Sequence, residues 1–349
     1  MKTLSVLIVD DSLLFIRLFE KVLSQIPNLK VLGYSRNGRD ALLEIEKKKP
    51  DVVTVDLEMP IMGGIELLEN IDYKTNKSKF IIISSHSLIG ARQTIEALNI
   101  GAFGYIAKPN AKSAEKSIDI LLKEFNRVFQ EIYAAQVPVS KYSDTLLQNK
   151  RIAFRRIEKV KAVVIGISTG GPKALKEVFM NLPPQIGVPI FVGIHMGKEL
   201  TETLALSLNQ SCQINVLEAK DHQEVFADHV YLTPGGKHMR VESRGKKMRI
   251  RITDESPYNH CKPSINFLFD SISKHYGDGK VLAITMTGMG NDGIEGLRSL
   301  KDGGAFTIAQ DMESCAIFGM PRAAIEEGLI DCVVPLKEIS TEILKRTLG

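Results

Sequence analysis

The chain reads as an α/β protein of two doubly wound domains, the second carrying a β-hairpin. Three observations predict this. At 349 residues it is long enough to enclose two hydrophobic cores. Short apolar runs alternate with stretches of helical periodicity, the pattern of parallel βαβ units. The alternation lapses once, over residues 126–159. Near the end of that stretch Lys150, Arg151, Arg155, Arg156, Lys159 and Lys161 gather against one acid, Glu158. The sequence therefore divides into a domain at 1–125, a linker with some helical content at 126–159, and a domain at 160–349. The basic run reads as a solvated face, with docking to an acidic partner as the alternative.

In the first domain the apolar runs predict strands at 4–9, 30–34, 52–56, 80–84 and 103–107. Helical spacing fills 13–23, 40–48, 64–71, 90–98 and 113–125. Five βα units of this length predict a five-stranded flavodoxin-like sheet, in which strands one and three are neighbours. In the second domain buried-looking strands occupy 163–167, 189–194, 281–287 and 306–309, a mostly parallel Rossmann-like arrangement. A hairpin interrupts them: 229–232, a Pro234-Gly235-Gly236 turn, 239–242, then 248–253. It is expected to lie within a mixed sheet.

Composition excludes several classes. A net charge of +4 is small for this length and gives weak support to nucleic-acid or membrane-surface binding. No run approaches the roughly 18 apolar residues of a spanning helix. The start, Met1 to Val9, is interrupted by Asp10 and Asp11 and reads as a first strand, not a signal peptide. Cys212, Cys261, Cys315 and Cys332 are far apart, with no CxxC pair. They read as reduced thiols instead of a disulfide frame or zinc site. These features predict a cytoplasmic protein.

Chemistry-bearing residues stand at the strand ends. Asp10 and Asp11 follow strand one, Asp56 ends strand three, Ser84 ends strand four and Lys108-Pro109 follows strand five. A lone aspartate there would read as a helix cap. Three carboxylates brought to one sheet edge repel unless a hard cation sits among them, and Mg²⁺ suits such oxygen ligands. A lysine and a hydroxyl beside them could hold phosphoryl oxygens.

This set resembles the receiver domain of bacterial response regulators over all of residues 1–125. The resemblance is carried by Leu7-Ile8-Val9-Asp10-Asp11-Ser12, Val55-Asp56-Leu57-Glu58-Met59-Pro60, Ile83-Ser84-Ser85 and Ala107-Lys108-Pro109. It implies that Asp56 accepts a phosphoryl group from a partner kinase. It implies that Asp11, Asp56 and the carbonyl of Glu58 bind Mg²⁺, with Asp10 behind them. Ser84 and Lys108 would sense the phosphoryl group, Tyr105 falls at an aromatic switch position, and the Lys108–Pro109 bond is often cis in that family. Met62-Gly63-Gly64 departs from the usual Met-Asp-Gly, outside the acidic cluster.

In the second domain Ser168, His195 and Asp292 each lie just past the end of a strand, where open parallel sheets bind ligands. Gly166-Ile167-Ser168-Thr169-Gly170 matches G-x-S-x-G, a tight turn that presents a serine at a helix N-terminus. A phosphate-cradling loop is the other reading of that pattern. A histidine at the next strand end could serve as base, and an aspartate could orient it. A rival reading exists. Gly288-Met289-Gly290-Asn291-Asp292-Gly293 fits G-x-G-x-x-G, and Asp311 lies near the end of the following strand, as in a dinucleotide site. Against it, the pattern comes late in the domain and Asp292 would bury charge in the phosphate turn. Five other histidines, His86, His222, His229, His238 and His260, read as surface or structural groups.

Longer stretches now resemble the catalytic domain of chemotaxis protein-glutamate methylesterases, which follows a receiver and a linker in this order. They are Ser168-Thr169-Gly170-Gly171, His195-Met196, Leu232-Thr233-Pro234-Gly235-Gly236-Lys237-His238, Lys262-Pro263-Ser264, Thr287 through Gly293, Ala309-Gln310-Asp311 and Phe318-Gly319-Met320-Pro321. The resemblance implies a phosphorylation-regulated serine esterase that hydrolyses glutamate γ-methyl esters on chemoreceptors, with deamidation of receptor glutamines as a second reaction. Its triad maps onto Ser168, His195 and Asp292, and its oxyanion region onto Met289 with Thr169. The implied partners are a chemotaxis histidine kinase and methylated receptor helices, with neither nucleic acid nor membrane insertion involved. The esterase reaction would need no cofactor. The receiver would act as a lid on the active site. One departure is Gly197-Lys198-Glu199-Leu200-Thr201, where the family usually has Pro-x-x-Phe-Thr. Two alternatives remain: a response regulator with a dinucleotide-binding oxidoreductase output domain, and, ranked last, a DNA-binding regulator.

Overall fold

The computed structural model describes residues 2–85, 87–110, 113–136, 159–245, 247–276 and 279–349. The chain divides into two compact units, Met1–Tyr133 and Ala134–Gly349.

In the first unit β1 (Leu4–Val9), β2 (Leu29–Ser35), β3 (Val52–Asp56), β4 (Lys79–Ser84) and β5 (Gly104–Ala107) form one parallel sheet in the order β2-β1-β3-β4-β5. Helices α1 (Leu13–Leu23), α2 (Gly38–Lys48), α3 (Gly64–Glu69), α4 (Leu88–Ile100) and α5 (Ala114–Ala135) connect and cover it. All five residues of β3 are buried, as a central strand covered on both faces requires. The apolar stripe of α1 buries Ile16, Phe19, Val22 and Leu23. The order puts the switch point between β1 and β3, so Asp10 and Asp56 emerge side by side.

Helix α5 runs past the expected domain end at residue 125. Phe125, Val128, Phe129 and Ile132 recur at helical spacing and are all buried, so residues 126–135 continue the helix into the stretch expected to hold some helical content. Residues 137–158 of the expected linker lie outside the described residues.

In the second unit seven strands pair in parallel. They are β6 (Ala162–Ile167), β7 (Ile190–Ile194), β8 (Asn215–Glu218), β9 (His229–Leu232), β12 (Val281–Thr285), β13 (Phe306–Gln310) and β14 (Cys332–Val334), in the order β14-β13-β12-β6-β7-β9-β8. The hairpin, β10 (His238–Arg244) with β11 (Lys247–Thr253), stands apart as an antiparallel pair. This corrects the expectation of a mixed sheet. The 229–232 segment leaves the hairpin because His229–Leu232 pairs with both β7 and β8. Edge strands β8 and β14 are four and three residues long, too short to show a period in sequence. From β6 the chain moves outward to β7 and later returns to β12 on the other side, so the switch crevice opens between β6 and β12. The helices are α6 (Gly171–Met180), α7 (Lys198–Ser211), α8 (Ile265–His275), α9 (Ile294–Asp302), α10 (Met320–Glu326) and α11 (Leu336–Thr347).

Candidate active site and phosphoacceptor site

Ser168 is the first residue past β6. Its N–H donates to the Thr287 carbonyl at 2.9 Å, and its carbonyl accepts from Gly171 N–H at 2.8 Å, which closes the turn into α6. Two glycines make the turn feasible. Gly170 sits at φ +80°, where a side chain would be strained. A Cβ on Gly288 would stand 2.6 Å from the Ser168 Cβ and 2.5 Å from the Met320 sulfur. The β12 loop can therefore lie against the serine only without a side chain at that position.

The three strand-end residues converge. His195 Nδ1 is 3.2 Å from Ser168 Oγ, and His195 Nε2 is 2.7 Å from Asp292 Oδ2. Asp292 is buried and gripped from the start of α8. Ile265 N–H donates to Oδ2 at 2.7 Å, while Ser264 Oγ and Asn266 Nδ2 donate to Oδ1 at 2.9 and 3.0 Å. Burial pushes this carboxyl up, but the His195 contact and these donors overcome it and hold it below the usual carboxylate range. For His195 burial favours the neutral ring, yet hydrogen bonding to Asp292 and Cys261 outweighs it and raises the imidazole to about 9.

The expected oxyanion residues flank the serine. Thr287 Oγ1 donates to the Thr169 carbonyl at 2.9 Å, and Met289 follows the glycine that abuts Ser168. The Ser168 N–H itself is committed to Thr287. The departing segment after Met196 forms the start of α7. Leu200 and Thr201 are buried there, and Thr201 Oγ1 accepts from Gly235 N–H at 2.9 Å.

In the first unit carboxylate oxygens of Asp10, Asp11 and Asp56 lie within 4.8 Å of one another. Lys108 Nζ donates to Asp56 Oδ2 at 2.6 Å and stands 3.4 Å from Asp10 Oδ2. Burial raises Asp10 to about 6, against the pull of Lys108 and the Ser12 N–H. A cavity is lined in part by Asp11, Asp56, Glu58, Ser85 and Lys108. Ser84 is buried; its hydroxyl accepts from Thr94 Oγ1 at 2.6 Å and lies 3.4 Å from the Gly90 carbonyl. The half-buried Tyr105 lies on β5. Lys108–Pro109 is trans; the cis bond among the described residues is Lys262–Pro263.

Residues 163–343 match the CheB methylesterase family, and residues 6–118 match the response regulator receiver domain. The chain belongs to the CheB methylesterase family. The protein-glutamate methylesterase/protein-glutamine glutaminase of Desulfotalea psychrophila is 40% identical over 99% of this chain and 98% of its own. The protein of the same name from Halalkalibacterium halodurans is 38% identical over 98% of each. The crystal structure of the Thermotoga maritima CheB methylesterase catalytic domain is 36% identical, covers 54% of this chain and 98% of its own, and superposes with a TM-score of 0.52.

These matches overturn the oxidoreductase alternative, and the geometry gives the reason. In this chain Gly288 serves contact with Ser168, and Asp292 turns to His195. Asp311, offered as a ribose acid, instead accepts from the Ser314 N–H at 3.0 Å. Sequence reasoning missed the roles of Ser264, Ile265 and Asn266. It also missed that His238, fully buried, accepts the Ser264 N–H on Nδ1 at 3.1 Å and so braces the loop that holds Asp292. Only the Lys262-Pro263-Ser264 motif pointed toward that loop.

Proposed function

We propose that the chain is a phosphorylation-regulated protein-glutamate methylesterase in which Ser168 is the nucleophile, His195 the base and Asp292 the residue that orients the base. The observation that carries the residue roles is the continuous contact from Ser168 Oγ through His195 to a buried, four-fold gripped carboxylate. Asp292 accepts from Nε2–H, which leaves the Nδ1 lone pair facing the serine hydroxyl. Ser168 then attacks the γ-ester carbonyl of a receptor glutamate while His195 takes its proton. Returning that proton releases methanol. Water, activated by the same imidazole, hydrolyses the acyl-enzyme and restores glutamate. A glutamine side chain is nearly isosteric with the ester, and its hydrolysis by the same steps releases ammonia. Developing negative charge on the carbonyl oxygen meets the N-terminus of α6 and the backbone at Thr169 and Met289; one such donor is typically worth about 10²–10³ in rate.

The acidic pocket of the first unit suits a hard cation. Its ligands are carboxylates, and the buried Asp10 Oδ2 has only the Lys108 ammonium, 3.4 Å away, to offset its charge. Asp11, Asp56 and the Glu58 carbonyl would hold Mg²⁺, which neutralises charge as a phosphoryl group approaches Asp56. Lys108 already rests on that carboxylate and would follow the phosphoryl oxygens, Ser84 would turn to meet them, and Tyr105 would report the change. The phosphodonor is a chemotaxis histidine kinase, and the substrate is the set of methylated cytoplasmic receptor helices. No helix among the described residues is long and apolar enough to cross a membrane, in keeping with a cytoplasmic site of action. The test is methanol release from methylated receptor, with and without a small phosphodonor and Mg²⁺. Stimulation by both together is expected; no methanol under either condition overturns the reading.

A further inference from the structure

Cys261 stands at the catalytic cleft, and ester hydrolysis does not use it. It is held on a tight turn, where Tyr258 and Cys261 exchange both backbone hydrogen bonds at 2.9 and 3.1 Å. Its sulfur, a ring nitrogen of His195 and a carboxylate oxygen of Asp292 all lie within 4.8 Å of one another. The sequence rule for zinc looks for cysteines close together in the chain. Here the donors come from positions 195, 261 and 292, so spacing hides them.

We propose that His195, Cys261 and Asp292 form a site for a zinc-class divalent cation, and that filling it switches the hydrolase off. The donor set is one thiolate, one neutral imidazole and one carboxylate. Its two negative charges balance a divalent ion, and its N, S and O donors are those zinc takes in three-ligand sites with an open fourth position. Zinc bonds of about 2.0–2.3 Å would set the donors roughly 3.3–3.8 Å apart. Donors already within 4.8 Å need only a small inward shift, and the 2.7 Å His195–Asp292 contact must open slightly. One of the three donors is already held in place, because Ser264, Ile265 and Asn266 hydrogen-bond to Asp292.

Binding forms Zn–S, Zn–N and Zn–O bonds and sends to solvent the thiol proton and, where the His195 ring is charged, its second ring proton. The base is lost whichever nitrogen binds. On Nδ1 the metal takes the lone pair that faces Ser168. On Nε2 it forces the proton of the neutral ring onto Nδ1. Mg²⁺, which prefers an all-oxygen shell, is not drawn to a thiolate, so the cation expected at Asp56 does not close this site.

The loss of activity rests on the hydrolase reading; metal binding does not. Chelator-treated full-length protein in excess Mg²⁺ is titrated with Co²⁺ and then Zn²⁺, following the thiolate-to-cobalt charge-transfer band, with methanol release measured in parallel. One equivalent of Co²⁺ should produce the band, Zn²⁺ should displace it, and methanol release should fall in step with Zn²⁺ occupancy. Cys261→Ser should abolish the band. It should also weaken Zn²⁺ by more than the roughly 10–100-fold that losing an outer hydrogen-bond partner costs, and relieve inhibition. Cys212→Ser and Cys332→Ser should keep all three responses. A Cys261→Ser protein that keeps the band or the affinity overturns the site, and full methanol release from the zinc-loaded protein overturns the switch. If the metal-free protein releases no methanol, the hydrolase reading fails while the cobalt band still decides the site.

Discussion

Nε2 of His195 lies 2.7 Å from Oδ2 of Asp292, so the imidazole meets its carboxylate through Nε2 and its serine through Nδ1. In the serine-protease arrangement the two nitrogens have the opposite assignments. In the proposed mechanism the chemistry is the same, because in the neutral ring one nitrogen carries the proton and the other accepts. The reversal follows from where the partners stand: Ser168 past β6, Asp292 past β12, and His195 past β7.

Replacing members of this chain of contacts should grade the loss. Ser168→Ala is expected to bring methanol release to near background. Asp292→Asn keeps the shape but favours the wrong tautomer, a change that lowers kcat by about 10⁴ in a comparable triad. Steady-state methanol release measures both, and a Ser168→Ala protein with retained turnover removes the serine mechanism.

The pH profile of acylation follows from the raised imidazole. Acting as base requires the neutral ring, and His195 is raised to about 9, so the rate should climb from neutral pH toward about 9. Stability runs the other way. The contribution of the charged His195 is complete below the ordinary value of about 6.5 and is lost as pH rises through about 9. In Asp292→Asn the main upward push is gone, so the rate limb should move to lower pH. A pre-steady-state profile unchanged in that variant would contradict the assignment.

Ser264 acts through Asp292 and should behave as a positioning residue. Ser264→Ala removes one donor to a buried carboxylate, a bond of a class worth about 1.5–3 kcal/mol. Urea unfolding should show that loss. Methanol-release kinetics should show a lower kcat with KM little changed, and Ser264→Thr, which restores a hydroxyl, should recover part of the rate.

Gly288→Ala places a methyl group 2.6 Å from the Ser168 Cβ and 2.5 Å from the Met320 sulfur. Overpacking of this kind costs about 1–3 kcal/mol. Because the loop must withdraw from the serine, activity should fall much more than the unfolding midpoint. Parallel esterase and urea measurements separate the two effects.

Asp56→Asn removes the proposed phosphoacceptor and changes no residue of the second unit. Methanol release in the absence of phosphodonor should persist, and the response to a small phosphodonor with Mg²⁺ should vanish. A full response in this variant would move the acceptor to another side chain.

The sequence by itself determined the alternation of strands and helices, the two sheets, and the placing of Asp10, Asp56, Ser168, His195 and Asp292 at strand ends. Burial imposes a period on each element, and parallel topology brings strand ends to one edge. Only the tertiary structure decided the rest. It set His229–Leu232 into the parallel sheet, carried α5 to Ala135, turned Ser84 toward Thr94, brought the 264–266 segment onto Asp292 and stood Cys261 beside His195. These contacts join loops and element ends that carry no period of their own, so their partners are settled by packing between remote segments.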